Sequence, residues 1–230
     1  MYEHLFFDLD HTLWDFERNS EEVLAELFWE HRLMRLGVRL YDFLSTYYEV
    51  TYALWHAYDE GQISPEVLRN SRFPTILTKL GANPEEISCE ALAQAYGERT
   101  PRRPHLMPHA REVLQQLQEK YTLHIITNGF PEMQALKMES ARIRHFFQYI
   151  FTSAETGHKK PRPEMFYFAL EKVQARPEHC LMIGDNPDTD LRGAANAGIP
   201  AVFYNPKKQA SADIPHTLEI QCLRELLLHL

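Results

Sequence analysis

Two carboxylates two residues apart, Asp8 and Asp10, close the run Leu5-Phe6-Phe7-Asp8-Leu9-Asp10-His11-Thr12-Leu13. An apolar, β-prone run that ends abruptly in acids reads as a buried strand with a functional tip at its C-terminal end. Side chains at i and i+2 share a face of a strand, so both acids reach one space if the extended geometry persists through Asp10; if the chain turns there, Asp10 reaches back over the tip instead. Unneutralised carboxylates crowd together where a cation, a proton or a substrate offsets their repulsion, which points to a metal or an acid/base role. Three later stretches carry matching chemistry: Thr127-Asn128-Gly129, Lys160 within Gly157-His158-Lys159-Lys160-Pro161, and Asp185, Asp188 and Asp190 within residues 184–190. Each also has a plain reading, as a turn, a solvated loop or a helix cap.

The elements that must position these residues alternate in type. Residues 108–120 carry an amphipathic helical pattern, and residues 122–127 (Thr-Leu-His-Ile-Ile-Thr) form a β-branched strand broken by Asn128-Gly129. Strands at 149–152, 180–183 and 201–204 then alternate with helices at 164–174 and 188–196. This pattern implies right-handed βαβ crossovers and an α/β fold, a doubly wound (Rossmann-like) parallel sheet covered on both faces. Ligands bind such sheets beyond the carboxyl ends of the strands, so the scattered tips become one site. Three acids, a hydroxyl with adjacent backbone amides and a lysine then converge at one edge, which the plain readings leave without a reason.

Between residues 14 and 96 the texture is helical and reads as an all-helical insert. Val23, Leu24, Leu27, Phe28 and Met34 recur at helical spacing, and Tyr48, Tyr52 and Trp55 do so on a second helix. Ser64-Pro65-Glu66 predicts an N-cap and first turn for a third helix, which Pro74 should kink or end. Asn83-Pro84-Glu85-Glu86 predicts a fourth that Gly97 would close. Prolines 101, 104 and 108 mark the return. The expected organisation is a core domain in two parts, 1–14 and 100–230, around a helical insert at 15–99.

A nucleophile, donors for phosphoryl oxygens, a cation and a general acid/base are what phosphoryl transfer requires, and aspartate can serve as the nucleophile. Hard carboxylate oxygens favour Mg²⁺. The ordered motifs Asp8-Leu9-Asp10-His11-Thr12-Leu13, Ile126-Thr127-Asn128-Gly129, Lys160-Pro161-Arg162-Pro163-Glu164-Met165-Phe166, and Gly184-Asp185 with Asp190 five residues on, resemble the haloacid dehalogenase superfamily of phosphatases. The helical insert looks like that superfamily's cap. Residues 54–63, with Leu68-Arg69, Arg72-Phe73 and Phe130, are similar to its house-cleaning 5′-nucleotidases that act on pyrimidine nucleotides. The resemblance implies that Asp8 attacks phosphorus and ligates Mg²⁺, and that Asp10 protonates the leaving oxygen, later deprotonates water and offers its backbone carbonyl to the metal. It further implies that Thr127 and the Asn128 amide hold phosphoryl oxygens, Lys160 rather than Lys159 neutralises Asp8 and phosphate, Asp185 ligates the metal and Asp190 orients a metal-bound water. Trp55, Tyr58 and Phe130 are candidates to stack on a base, and Arg69 or Arg72 to bond its edge or the phosphate; packing within the cap is the plain alternative for Trp55. His11 departs from the pattern, since many relatives have Gly there.

At 230 residues and 44% hydrophobic content the chain can build a substantial core. A formal charge of −8 repels polyanions, so nucleic-acid polymers and anionic membranes are poor partners, whereas a small phosphate ester is compatible if local cations neutralise it. A nucleoside monophosphate is the expected substrate and a sugar phosphate the alternative. The three cysteines, Cys89, Cys180 and Cys222, are widely spaced and read as reduced thiols. His105 and His109 are four apart but interrupted by Pro108, which argues against a zinc site. With no basic n-region and no apolar run approaching about 18 residues, a cytoplasmic monomer or homodimer is expected. Hydrolytic dehalogenation, which the superfamily also performs, normally lacks the second acid, so Asp10 argues against it. A phospho-acceptor signalling domain of about 120 residues leaves no room for the insert.

Overall fold

β1 (His4–Phe7) buries Leu5, Phe6 and Phe7 completely, so both faces of this strand are covered. In the computed structural model, which describes residues 1–208 and 214–230, the chain then runs through five helices: α1 (Phe16–Glu30), α2 (Leu40–Asp59), α3 (Pro65–Asn70), α4 (Arg72–Lys79) and α5 (Cys89–Arg99). It continues as α6 (Ala110–Leu117), β2 (Thr122–Thr127), α7 (Pro131–Ser140), β3 (Phe147–Thr152), the single turn α8 (Ser153–Thr156) and α9 (Pro163–Val173). β4 (Cys180–Gly184), α10 (Arg192–Asn196), β5 (Ala201–Tyr204), β6 (Leu218–Ile220) and α11 (Leu226–His229) complete it. Two compact units result, Met1–Phe16 with Pro104–Leu230, and Glu17–Arg103.

The first unit is the expected α/β fold. Among the described residues its six strands lie parallel in the order β3-β2-β1-β4-β5-β6. β6 was not expected from the sequence, because three residues with one buried side chain give no readable period. β1 sits between β2 and β4 with Phe7 opposite both Ile125 and Ile183, and the Asp8 amide extends the ladder onto the Ile183 carbonyl at 2.9 Å. The chain order reverses across β1 and β4, so the tips of β1, β2 and β4 open at the switch point where such sheets take ligands. Leu5, Phe7, Leu123, Ile125, Leu181 and Ile183 pack on one face with Val113, Leu114 and Leu117 of α6 and Leu226 of α11. Phe6, Ile126, Phe151, Met182 and Phe203 pack on the other with Met165, Phe166 and Ala169 of α9 and Ala194 of α10.

In the helical unit, α1 buries Val23, Leu24, Leu27 and Phe28 as its period predicts, while Met34 falls outside it, 62% exposed. On α2 the buried face is Phe43, Tyr47, Val50, Thr51 and Tyr58. Tyr48, Tyr52 and Trp55 flank that face instead; two stripes of equal helical spacing run along this helix, and periodicity alone does not choose between them. The Ser64 hydroxyl accepts the Val67 amide and caps α3 as expected. Pro74 neither kinks nor ends α3, because a new helix starts at Arg72 and places Pro74 in its first turn, where no backbone bond is lost. Asn83 caps only a 3₁₀ turn (Pro84–Glu86); Ser88 caps α5, which runs through Gly97 to Arg99. No helix among the described residues is long and apolar enough to cross a membrane.

Candidate active site

Past residue 8 the strand geometry stops. The amides of Leu13 and Trp14 both return to the Leu9 carbonyl, at 2.9 and 2.8 Å, and the His11 amide bonds the Trp14 carbonyl at 2.9 Å. Of the two geometries open to the acidic pair, the chain therefore takes the turn, and Asp8 and Asp10 engage different lysines. His11 forms that turn at φ 65°, a left-handed conformation that glycine adopts without strain.

The Lys160 ammonium stands between two acids, donating to Asp8 Oδ1 at 2.5 Å and to Asp190 Oδ1 at 2.6 Å. Its backbone is clamped by Asn128, whose side chain accepts the Lys160 N–H at 2.7 Å and donates to its carbonyl at 2.9 Å. Asn128 thus fastens the lysine loop to the tip of β2. Asp190 Oδ2 accepts the Asn186 amide at 3.1 Å, and its carboxylate fills the space a Cβ on Gly184 would need. Asp185 is held by the Thr12 hydroxyl, which donates to Oδ1 at 2.8 Å.

Asp8, Asp185 and Asp190 each bring a carboxylate oxygen within 4.8 Å of the other two. Burial, helped by the charges of Asp190 and Asp185, pushes the Asp8 carboxyl well above its usual range despite Lys160. Burial also raises Asp185 to about 6. For Lys160, burial disfavours the charge, but the two acids outweigh it and the ammonium is held protonated. A set made only of carboxylate oxygens, two of them destabilised as anions, suits a hard divalent cation such as Mg²⁺.

Asp10 is treated differently. Lys137 of α7 donates to both of its oxygens, at 2.6 and 2.8 Å, and Gln134 Nε2 donates to Oδ2 at 3.0 Å. Burial alone would raise this carboxyl, yet the Lys137 charge and these hydrogen bonds hold it below the usual range. Gln134 Nε2 also donates to Thr127 Oγ1 at 2.7 Å, and the Gly129 amide bonds the same oxygen at 3.1 Å.

Residues 2–198 match the model of a hydrolase family, the haloacid dehalogenase-like hydrolases. The chain belongs to the haloacid dehalogenase-like hydrolases. It is 30% identical to the HAD-hydrolase YfnB of Bacillus subtilis strain 168, over 98% of this chain and 94% of that protein. It is 30% identical to the pyrimidine 5′-nucleotidase YjjG of Escherichia coli K12, covering 96% and 95% of the two chains. The pyrimidine 5′-nucleotidase PynA of Streptococcus pneumoniae R6 is likewise 30% identical, over 98% and 94%. The crystal structure of YfnB bound to magnesium superposes with a TM-score of 0.88, covering 100% of this chain and 99% of that one.

Within this hydrolase, the sequence-predicted residues fall into four groups. Asp8, Lys160, Asp185 and Asp190 form one cluster, fastened by Asn128, and Asp10 and Thr127 are joined through Gln134. Phe130 precedes α7 in extended conformation. Trp55 and Arg72 belong to the helical unit, where Trp55 lies edge-on to Tyr58 and the Arg72 guanidinium rests over the rings of Tyr47 and Tyr96. Sequence reasoning missed Thr12, Gln134 and Lys137. Gln134 and Lys137 are three apart on the helix after Thr127-Asn128-Gly129, so their shared face was readable, but not the direction in which it points.

Proposed function

We propose that this hydrolase is a Mg²⁺-dependent phosphomonoesterase, a 5′-nucleotidase acting on nucleoside monophosphates with pyrimidine and deoxy forms favoured. The observation that carries the reading is the division between the two acids. Asp8 faces a cation-ready carboxylate cluster and Lys160, whereas Asp10 is held apart by Lys137 and Gln134. A nucleophile and a separate proton carrier are what ester hydrolysis needs, and dehalogenation has no leaving oxygen to protonate.

In this reading an Asp8 oxygen bonds phosphorus as the bond from phosphorus to the 5′ oxygen breaks, and Asp10 gives its proton to that oxygen. The arriving phosphate anion favours the protonated form of Asp10. Asp10 then takes a proton from a water that attacks the aspartyl-phosphate, releasing phosphate and restoring Asp8. Thr127 Oγ1 already accepts two N–H donors, which leaves its own proton for a phosphoryl oxygen; the Asn128 amide donates alongside, and Lys160 offsets the charge. Mg²⁺, held by Asp8, Asp185 and the Asp10 carbonyl with Asp190 orienting its water, would supply positive charge to the phosphoryl oxygens.

Base selectivity is assigned to Phe130, Trp55 and Arg72, and the 30% identity to two pyrimidine 5′-nucleotidases supports the substrate class. The test is a screen of nucleoside monophosphates, sugar phosphates and 2-haloacids, with Mg²⁺ and with EDTA. Nucleotide hydrolysis that EDTA stops and Mg²⁺ restores is expected. Preference for sugar phosphates overturns the substrate class, halide release overturns the reaction, and full activity in excess EDTA overturns the metal. Phe130→Ala and Trp55→Ala should raise KM for nucleotides by about 5- to 100-fold while sparing an aryl phosphate.

A further inference from the structure

Four features of the sheet unit meet on one face of α7. Gln134 is fully buried, and its Nε2 is shared between Asp10 Oδ2 and Thr127 Oγ1. Gly129 makes room for it, since a Cβ there would collide with the Gln134 amide. Lys137, one turn on, covers both oxygens of Asp10 and is itself seated 4.7 Å over the ring of the fully buried Trp14. At the far end of α7, Arg111 donates to the carbonyls of Ala141 and Arg142 and anchors the helix.

We propose that Gln134 and Lys137 are positioning residues for phosphoryl transfer, a rigid bracket that sets the hydroxyl polarity of Thr127 and the carboxylate orientation of Asp10 together. A carboxylate has two oxygens that rotate freely about one bond, and proton transfer needs one of them aimed at the leaving oxygen within hydrogen-bond reach. Lys137 removes that rotation by holding both oxygens, and the Trp14 ring and the anchored helix keep Lys137 in place. Gln134, an amide donor, leaves Thr127 only one use for its own proton, which is donation to the phosphoryl group. The acid and the phosphate donor therefore share one support, and a shift of α7 misplaces both.

The inference rests on the phosphatase reading, and the experiment separates the two. A nucleoside 5′-oxygen needs a proton to leave, whereas p-nitrophenolate departs without one, and kcat/KM reports only the first, Asp8-phosphorylating half of the reaction. Lys137→Met should lower kcat/KM for a nucleoside monophosphate by about 10²-fold and for p-nitrophenyl phosphate by less than about fivefold. Lys137→Arg, which keeps charge and both contacts, should recover most of the nucleotide activity. Gln134→Leu should lower both substrates, by about tenfold or more, because Thr127 serves each of them. Tm is measured for every variant, and Lys137→Gln, which lacks the charge and cannot hold both Asp10 oxygens as the ammonium does, carries the comparison if Lys137→Met fails to fold. An active wild type whose Lys137→Met or Lys137→Gln variant loses both substrates equally, or neither, overturns the bracket alone. A wild type that hydrolyses no phosphate ester overturns the phosphatase reading and the bracket with it.

Discussion

At the carboxyl ends of β1, β2 and β4 the protein buries carboxylates, and three of them have an opposite charge against them: Asp8 and Asp190 have Lys160, and Asp10 has Lys137. At the amino ends of β1 and β2 it buries an imidazole instead, with no acid against it among the described residues. His124 is fully buried on a face where neighbouring strands place Phe6 and Phe151, its ring stacks on Tyr149, and its Nε2 meets His4 Nδ1 at 3.1 Å while its own Nδ1 has no hydrogen-bond partner among the described residues. Burial pushes His124 down to about 3, and burial lowers His4 as well. One strand pair thus keeps charge at one end by pairing it and excludes charge at the other by staying neutral. Buried ions are tolerated where counter-charges or chemistry require them, and elsewhere a titratable ring is held as an uncharged aromatic.

The contrast can be broken at the carboxyl end first. Asp8→Asn should abolish turnover, by at least about 10⁴-fold, because an amide is neither a competent nucleophile nor a charged metal ligand. Steady-state kinetics within tenfold of wild type would remove Asp8 from the chemistry. Lys160→Ala should cost about 3 kcal/mol of stability by leaving Asp8 and Asp190 buried without a cation, and about 10³-fold in kcat/KM. Lys159→Ala should stay within about tenfold in activity and close to wild type in denaturant midpoint. The reverse ranking of the two lysines refutes the pairing argument.

At the amino end the expected effect depends on pH. His124 has a folded pKa below its unfolded value near 6.5, so between these values the unfolded chain binds the proton and the folded one does not. Its contribution is full above about 6.5 and lost as pH falls towards about 3, with a slope of up to about 1.4 kcal/mol per pH unit. His124→Phe should therefore gain on wild type progressively as urea unfolding is repeated from pH 7 to pH 4. Parallel curves for the two proteins would mean that the ring is already charged or hydrated in the fold. The smallest effect is expected at the turn joining β1 to the site. His11→Gly should raise Tm by about 1 to 3 °C through relief of left-handed strain. A fall in Tm would show that the His11 ring, 4.7 Å from that of Phe16, contributes more than the strain costs.

Much of this protein is legible from residue types and their order. The alternation of β-branched runs with amphipathic helices specifies a parallel sheet, because a right-handed crossover is the short route between parallel strands. Asp8, Thr127, Lys160 and Asp185 stand at the ends of those runs, so their shared edge follows from topology before any distance is known. Tertiary structure alone decided which of two stripes on α2 faces inward, that Leu218–Ile220 adds a sixth strand, and that the chain turns at His11 so that Asp10 leaves the carboxylate cluster. It also decided that Gln134 and Lys137 point at Asp10 rather than at water. The physical reason is common to these cases. Local sequence sets backbone conformation and the spacing of side chains along a face, but which way the chain and that face turn is chosen by the contacts they find in the fold, from residues as far away as Asp10 is from Lys137. A polar side chain on a helix reads the same whether it meets solvent or a buried carboxylate.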